Sequence, residues 1–156
     1  MGLEIERKFL VRQEDLPELK GGQYIIQGYL SEEPAVRYRI LGASIKITIK
    51  EVRSDGSRME IETVKHKATS DERAALKRLS IVTPIEKIRY RIPYKGLIWE
   101  IDNYQKENLG LVTVDVEIPE IGYPLIFPSW VNFEQEITAD SRYFNINLGR
   151  KPYSKW

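Results

Sequence analysis

Cysteine is absent from the 156-residue chain, which excludes disulfides and thiolate metal sites. A single histidine, His66, leaves little material for a zinc centre of the usual kind. Any metal must therefore be held by oxygen ligands, which favours Mg²⁺ or Mn²⁺. Neither sign of charge is in excess: 24 Lys and Arg face 23 Asp and Glu, for a net charge of +1. Such a balance gives no general attraction to nucleic acid or to acidic membranes. No apolar run approaches the length of a membrane span. Glu4, Glu6, Arg7 and Lys8 occupy the N-terminus where a signal peptide would need an apolar stretch. Glu6 also stands where a myristoylation signal wants Ser or Thr. The expectation is a soluble cytoplasmic protein with neither a nucleic-acid nor a membrane partner. Linkers, repeats and low-complexity tracts are lacking too, so residues 1–156 read as a single domain.

What the chain does have is alternation. Period-two patterning marks eight candidate strands: Leu3–Val11, Tyr24–Leu30, Val36–Leu41, Ser44–Lys50, Arg58–Lys65, Glu86–Pro93, Leu97–Tyr104 and Leu111–Ile118. Turn residues separate several of them, as at Leu41-Gly42-Ala43, Ser54-Asp55-Gly56-Ser57 and Tyr94-Lys95-Gly96. Thr69–Leu79 breaks the alternation and reads as a crossover helix, with Ser70 as the candidate N-cap. Beyond Ile118, Pro119, Gly122, Pro124 and Pro128 define an irregular segment. A second short helix is expected at Asp140–Leu148, stopped by Gly149.

Sorting the strands by parity separates an aliphatic face from a charged one. Glu4, Glu6 and Lys8 oppose Leu3, Ile5 and Phe9. Arg37 and Arg39, then Lys46 and Lys50, then Glu60 and Glu62 continue the charged set. Lys87, Arg89 and Arg91, then Glu100 and Asp102, then Asp115 and Glu117 complete it. An ordinary antiparallel sheet with one wet face would give a similar alternation. Here, however, the charged faces contain almost no Ser, Gln or Asn, and each strand tends to one sign. A dense two-sign array is explained if the sheet curls and closes with its charges inward. Rows of Arg and Lys then receive a polyanion, and carboxylates receive hard divalent cations. Together they describe a metal–polyphosphate site.

The run Glu4-x-Glu6-x-Lys8 resembles the E-x-E-x-K signature of the CYTH domain, or triphosphate tunnel metalloenzyme superfamily. Gln27-Gly28-Tyr29-Leu30, Arg37-Tyr38-Arg39, Ile49-Lys50, Glu60-Ile61-Glu62 and Glu86-Lys87-Ile88-Arg89-Tyr90 resemble its later motifs in order. Glu100-Ile101-Asp102, Asp115-Val116-Glu117, Pro128-Ser129-Trp130 and Thr138–Asn145 extend the match to nearly the whole chain. Asp115 departs from the Glu that many relatives carry. The resemblance implies a mainly β (α+β) fold: an eight-stranded antiparallel β-barrel forming a charged tunnel, with a crossover helix and a C-terminal helical segment. It also implies a hydrolase or cyclase acting on triphosphates with Mg²⁺ or Mn²⁺, closest to the small bacterial-type tripolyphosphatases.

The expected metal ligands are Glu4, Glu6, Glu62, Asp115 and Glu117; for each, the plainer reading is a salt bridge to a basic strand. Glu60, Glu100 and Asp102 either serve a second metal or orient the basic groups. Arg37, Arg39, Lys50, Lys87 and Arg89 are the expected phosphate contacts. The resemblance suggests that Lys8 and Tyr29 form a catalytic pair that helps activate water, the alternative for Lys8 being one more phosphate contact. The leading expectation is hydrolysis of inorganic triphosphate to pyrophosphate and phosphate. Adenylyl cyclase, thiamine or nucleoside triphosphatase, and a non-catalytic polyphosphate- or nucleotide-binding module are the alternatives. Oligomeric state is left open.

Overall fold

The computed structural model describes residues 5–54 and 58–156. Nine strands form one sheet, each pairing antiparallel to its neighbours: β1 (Ile5–Val11), β2 (Gln23–Ser31), β3 (Ala35–Leu41), β4 (Ser44–Val52), β5 (Arg58–Lys65), β6 (Ile85–Tyr94), β7 (Leu97–Tyr104), β8 (Val112–Ile118) and β9 (Val131–Glu136). Their spatial order is β5-β4-β3-β2-β6-β7-β8-β1-β9. Two α-helices accompany them, α1 (Ser70–Leu79) and α2 (Asn145–Arg150).

The closed eight-stranded barrel expected from the sequence is not formed. The sheet is open, with β5 at one edge and β9 at the other. An additional strand lies at the β1 edge. β9 takes the Phe9–Val11 end of the free side of β1, pairing Leu10 with Asn132 and Val11 with Val131, across a bulge between Phe9 and Leu10. That part of the edge is not available for closure.

Hairpin chemistry sets the registers that matter for the site. Tyr94 pairs with Leu97 across a two-residue turn in which Lys95 and Gly96 both have positive φ, 49° and 80°. That is the turn geometry whose twist matches the strands it joins. It places Arg91 opposite Glu100 and Arg89 opposite Asp102. Gly28 sits opposite Tyr38, and a Cβ there would lie 2.5 Å from the Tyr38 ring.

The apolar face is covered by chain outside the sheet's centre. Phe9, Trp99, Ile101, Val114 and Val116 form its buried core with Trp130 and Val131. Phe127, from the proline-rich segment, meets Phe9 edge-on with ring centroids 5.2 Å apart. Leu16 and Leu19, from the β1–β2 connection, pack on the same core. Helix α1 covers the other wing through Leu76, against Tyr38 and Ile40. Its N-cap is Thr69 rather than Ser70. The Thr69 hydroxyl accepts from the Glu72 amide at 3.1 Å, and the Glu72 carboxylate accepts from the Thr69 amide at 2.9 Å. This reciprocal box is available only to the residue three before the glutamate.

The second expected helix, Asp140–Leu148, is divided. A 3-10 turn spans Ser141–Tyr143, Phe144 is extended, and α2 follows. Gly149 lies inside α2 instead of ending it. A Cβ at Gly149 would sit 2.6 Å from Val82 Cγ2 and 2.7 Å from the Thr83 carbonyl oxygen, so close approach, not termination, requires this glycine. Leu148 and Tyr143 pack against Ile85, Tyr104, Leu111 and Ile137. Among the described residues no helix is long and apolar enough to cross a membrane.

Because the obstruction at Gly149 includes backbone, Gly149→Ala is expected to destabilise the fold by about 1–3 kcal/mol, as overpacked sites do. Urea unfolding of the two proteins side by side measures it; an unchanged midpoint would count against this contact.

Candidate functional site

Ion pairs across β1, β8, β7 and β6 organise the charged face. Register sets Lys8 opposite Asp115, Glu6 opposite Glu117, Glu100 opposite Asp115, and Arg89 opposite Asp102. At the centre, Asp102 accepts from Lys87 Nζ at 2.9 Å and from Arg89 Nε and Nη2 at 2.7 and 2.8 Å. The Arg89 contact is a two-pronged fork, the geometry that guanidinium and carboxylate share. Lys87 and Asp102 are fully buried. Outward from this centre, Arg89 lies 3.7 Å from Asp115, whose other oxygen is 3.5 Å from Lys8 Nζ. Glu100 meets Arg89 at 3.5 Å and Arg91 at 3.0 Å.

Convergence on this face goes beyond neighbouring strands. Burial first, and then the charges of Arg89, Arg39 and Lys8, lower the Lys87 pKa to about 8 against the pull of Asp102. β1 and β6 are three strand positions apart, roughly 14 Å in a flat sheet. Contacts link the two strands instead: Lys8 on β1 reaches Asp115 on β8, and Asp115 lies 3.7 Å from Arg89 on β6. These charged side chains meet across four strands although the sheet is not closed.

The titration of the face follows from burial and neighbours. Asp102 is held far below the usual carboxylate range: burial opposes ionisation, but Lys87 and Arg89 outweigh it. Asp115 is raised, first by burial. The Glu6 carboxyl is pushed up to about 7, by burial and then by Asp115, against Lys8 and Arg89. Glu6 is nonetheless exposed to solvent as a residue, so screening trims the size of its shift and leaves its direction. Lys8 is buried, which disfavours its charge, yet Asp115 and the surrounding anions raise its pKa. The ammonium form of Lys8 is stabilised here.

The other wing carries a separate charged group. Lys46 pairs with Glu62 at 3.3 Å and Lys50 with Glu60 at 3.2 Å, along β4 and β5. Between the wings, Arg39 Nε donates to Gln27 Oε1 at 3.0 Å, and Gln27 Nε2 donates to the Tyr29 hydroxyl at 3.3 Å. Arg37 Nε is buried with no hydrogen-bond partner among the described residues; Asp115 Oδ1 has none either, though it faces Lys8 Nζ at 3.5 Å in an ion pair. An unanswered guanidinium donor among rows of Arg and Lys fits a ligand that presents anionic oxygens.

Of the expected site residues, Glu6, Lys8, Lys87, Arg89, Glu100, Asp102, Asp115 and Glu117 share one strand face across β1, β6, β7 and β8. Glu62, Glu60 and Lys50 stand on the far wing, and Glu4 lies outside the described residues. Among the described residues no three carboxylates or imidazoles are already gathered at metal-ligand spacing. Lys8 and Tyr29 have other partners in this structure: Lys8 pairs with Asp115, and the Tyr29 hydroxyl accepts from Gln27. Two residues of this face were not singled out from sequence. Gln27 is buried between Arg39 and Tyr29. Tyr104 lies with its ring 5.5 Å from Lys87 Nζ, and its hydroxyl donates to Asn145 Oδ1 at 3.0 Å. Parity gave a signal for both, since they share the charged face, but nothing in the pattern distinguished them from filler. At one end of the face an open pocket of about 840 Å³ is lined by Arg91, Ile98, Glu100, Glu117 and Tyr123, among others.

The chain is 34% identical over 158 residues to an inorganic triphosphatase of Acetivibrio thermocellus, covering 100% of this chain and 99% of that protein. The chain belongs to the CYTH, or triphosphate tunnel metalloenzyme, superfamily. The crystal structure of the inorganic triphosphatase NE1496 is similar at 28% identity and a TM-score of 0.68, over 96% of this chain and 95% of that one. A Pyrococcus horikoshii protein, PH1012, shares the fold at 21% identity and a TM-score of 0.51, over 76% of this chain and 80% of that one. No protein-family model matches the chain. Membership implies dependence on a divalent metal. The hard-oxygen donors Glu6 and Asp115 suit one: burial raises the pKa of each, and a neighbouring divalent cation would favour the charged form.

Two outcomes follow. Asp102→Asn leaves Lys87 and Arg89 buried without their counter-charge, and about 3–5 kcal/mol of stability should be lost, measured by urea unfolding. Glu6 has a folded-state pKa above its ordinary 4.5, so its contribution is full below pH 4.5 and is lost as pH rises through about 7. In EDTA, Glu6→Gln should therefore flatten the decline of Tm across that window; parallel curves would contradict the assignment.

Proposed function

We propose that this protein hydrolyses inorganic triphosphate to pyrophosphate and phosphate with Mg²⁺ or Mn²⁺. The observation that carries the reading is Arg37 Nε, a buried cationic donor with no hydrogen-bond partner among the described residues, on the face that also holds the raised carboxyls of Glu6 and Asp115. The guanidinium calls for an anionic oxygen, and carboxyls raised by burial favour a nearby cation. A metal-bound triphosphate chain offers both.

In this reading Arg37, Arg39, Lys87 and Arg89 bind phosphate oxygens, with Lys50 reaching from β4. Arg37 and Arg39 have the fork that grips two oxygens, whereas Lys50 and Lys87 supply point charges. Glu4, Glu6, Asp115 and Glu117 would hold the cation, with Glu62 from the opposite wing and Glu100 and Glu60 as outlying carboxylates. When bound, a divalent cation neutralises phosphate oxygens and lowers the pKa of water. A water oxygen attacks the terminal phosphorus, the bridging P–O bond breaks, and pyrophosphate leaves with the electron pair. The guanidinium and ammonium groups stabilise the charge spread over the equatorial oxygens.

Asp102 has a supporting role. Its oxygens are occupied by Lys87 and Arg89, so it orients cations and has little left for a metal. Lys8, kept as an ammonium by Asp115, suits a hydrogen-bond donor to phosphate better than a base. Tyr29 contributes a hydroxyl on the same face.

Phosphate release from tripolyphosphate, ATP and thiamine triphosphate, each with Mg²⁺, Mn²⁺ or EDTA, tests the proposal. Metal-dependent turnover of tripolyphosphate in preference to the two organic substrates is expected. Glu6→Gln should lower it by at least about 10²-fold, the scale on which a lost charge-stabilising group acts. Added Mg²⁺ should raise the Tm of the native chain above pH 7 more than that of Glu6→Gln. Formation of cyclic AMP from ATP, with tripolyphosphate untouched, would replace hydrolysis by cyclisation.

A further inference from the structure

Gln27 is an uncharged residue on a face built from charges, and it is buried to 1% exposure. It sits on β2 directly opposite Arg39, two residues before Tyr29, so all three point to one side of the sheet. Its amide is held at both ends, by Arg39 Nε at 3.0 Å and by the Tyr29 hydroxyl at 3.3 Å.

Chemistry decides which way the amide faces. A guanidinium N–H only donates, so the amide atom beside Arg39 must be the oxygen. Arg39 keeps its charge near neutral pH, because burial followed by Arg37 and Arg89 lowers its pKa only to about 10. The atom facing Tyr29 is then the NH₂ group, which also only donates. The tyrosine oxygen must therefore accept. An oxygen that accepts from Gln27 retains its own hydrogen for a different acceptor, and among the described residues no protein group takes it.

We propose that Gln27 is a positioning residue: anchored by Arg39, it fixes Tyr29 as a hydrogen-bond donor directed onto the charged face, toward a phosphate oxygen of the substrate. This deepens the triphosphatase reading and rests on it. No proton is transferred; the Tyr29 O–H bond stays intact throughout. The relay also couples two functions, because the arginine that binds one phosphate oxygen sets, through Gln27, the direction of the hydroxyl that donates to another. A glutamate at this position would keep the Arg39 contact but present only lone pairs to Tyr29, turning the hydroxyl's hydrogen away from the substrate.

A double-mutant cycle with tripolyphosphate and Mg²⁺ tests this. Gln27→Glu is made in the native chain and in Tyr29→Phe, and kcat and KM are measured for all four proteins, with urea midpoints alongside. Added negative charge acts on KM in both backgrounds alike, so the cycle isolates what passes through the hydroxyl. Gln27→Glu is expected to lower kcat by about 10-fold or more in the native chain and by less than about 3-fold in Tyr29→Phe. An equal fall in both backgrounds, or none in the native chain, overturns the proposal. Gln27→Met, which cannot donate and accepts only weakly, serves if the glutamate variant unfolds; it should show the same dependence on Tyr29. If the native protein itself leaves tripolyphosphate intact, the triphosphatase reading has failed first and this inference falls with it, an outcome visible before any variant is compared.

Discussion

Asp102 holds Lys87 and Arg89 together in a part of the protein that water does not reach. Two cations of like sign would not remain buried side by side without it, because each loses its hydration and repels the other. With the aspartate between them they form a cluster of net positive charge, and that residue of charge is what an incoming anion meets. Lys8 and Arg39 add to it; burial first, and then Arg89 with these two, lowers the Lys87 pKa. Asp115 and Glu6 are both raised, first by burial, with a neighbouring carboxylate adding to it, Asp102 for the former and Asp115 for the latter. Raised carboxyls and an unanswered guanidinium donor at Arg37 thus stand on one face, which a ligand carrying both signs of charge would satisfy.

The open sheet changes how such a face is enclosed. A barrel would surround the charges with hydrogen-bonded strands. Here Asp115 on β8 links Lys8 on β1 to Arg89 on β6, while apolar packing by Tyr143 and Leu148 fills one end. The wing formed by β4 and β5 keeps its ion pairs to itself, Lys46 with Glu62 and Lys50 with Glu60. Among the described residues its edge strand, β5, pairs with β4 alone. The β1 edge is different, because β9 and its bulge already occupy it. One side of the sheet is thereby finished and the other is left free.

Strand positions and face assignments were legible in the sequence because side chains alternate with a period of two whatever the sheet does globally. β5 and β7 have the bounds that alternation gives them, Arg58–Lys65 and Leu97–Tyr104. β9 escaped notice since Val131–Glu136 is short and carries two glutamates, resembling a loop. Gly149 was misread for a related reason: a glycine after a helical stretch looks like a stop, and only Val82 and Thr83, far away in the chain, show why it is needed. Gln27 was visible as a polar residue of the right parity, yet its two hydrogen bonds depend on neighbours from β3 and from its own strand.

The sequence by itself determined the chemistry of the face: oxygen ligands only, alternating strands of one sign, and a chain that resembles the triphosphate tunnel enzymes from end to end. Local pattern suffices for this, because charge and hydropathy are properties of each residue and parity needs no partner. Tertiary structure decided whether the sheet closes, which carboxylates meet which cations, and which polar atoms are left over. Those outcomes depend on pairing between distant strands. A strand edge used once by β9 cannot be used again, and an aspartate clasped by Lys87 and Arg89 has little left for a metal.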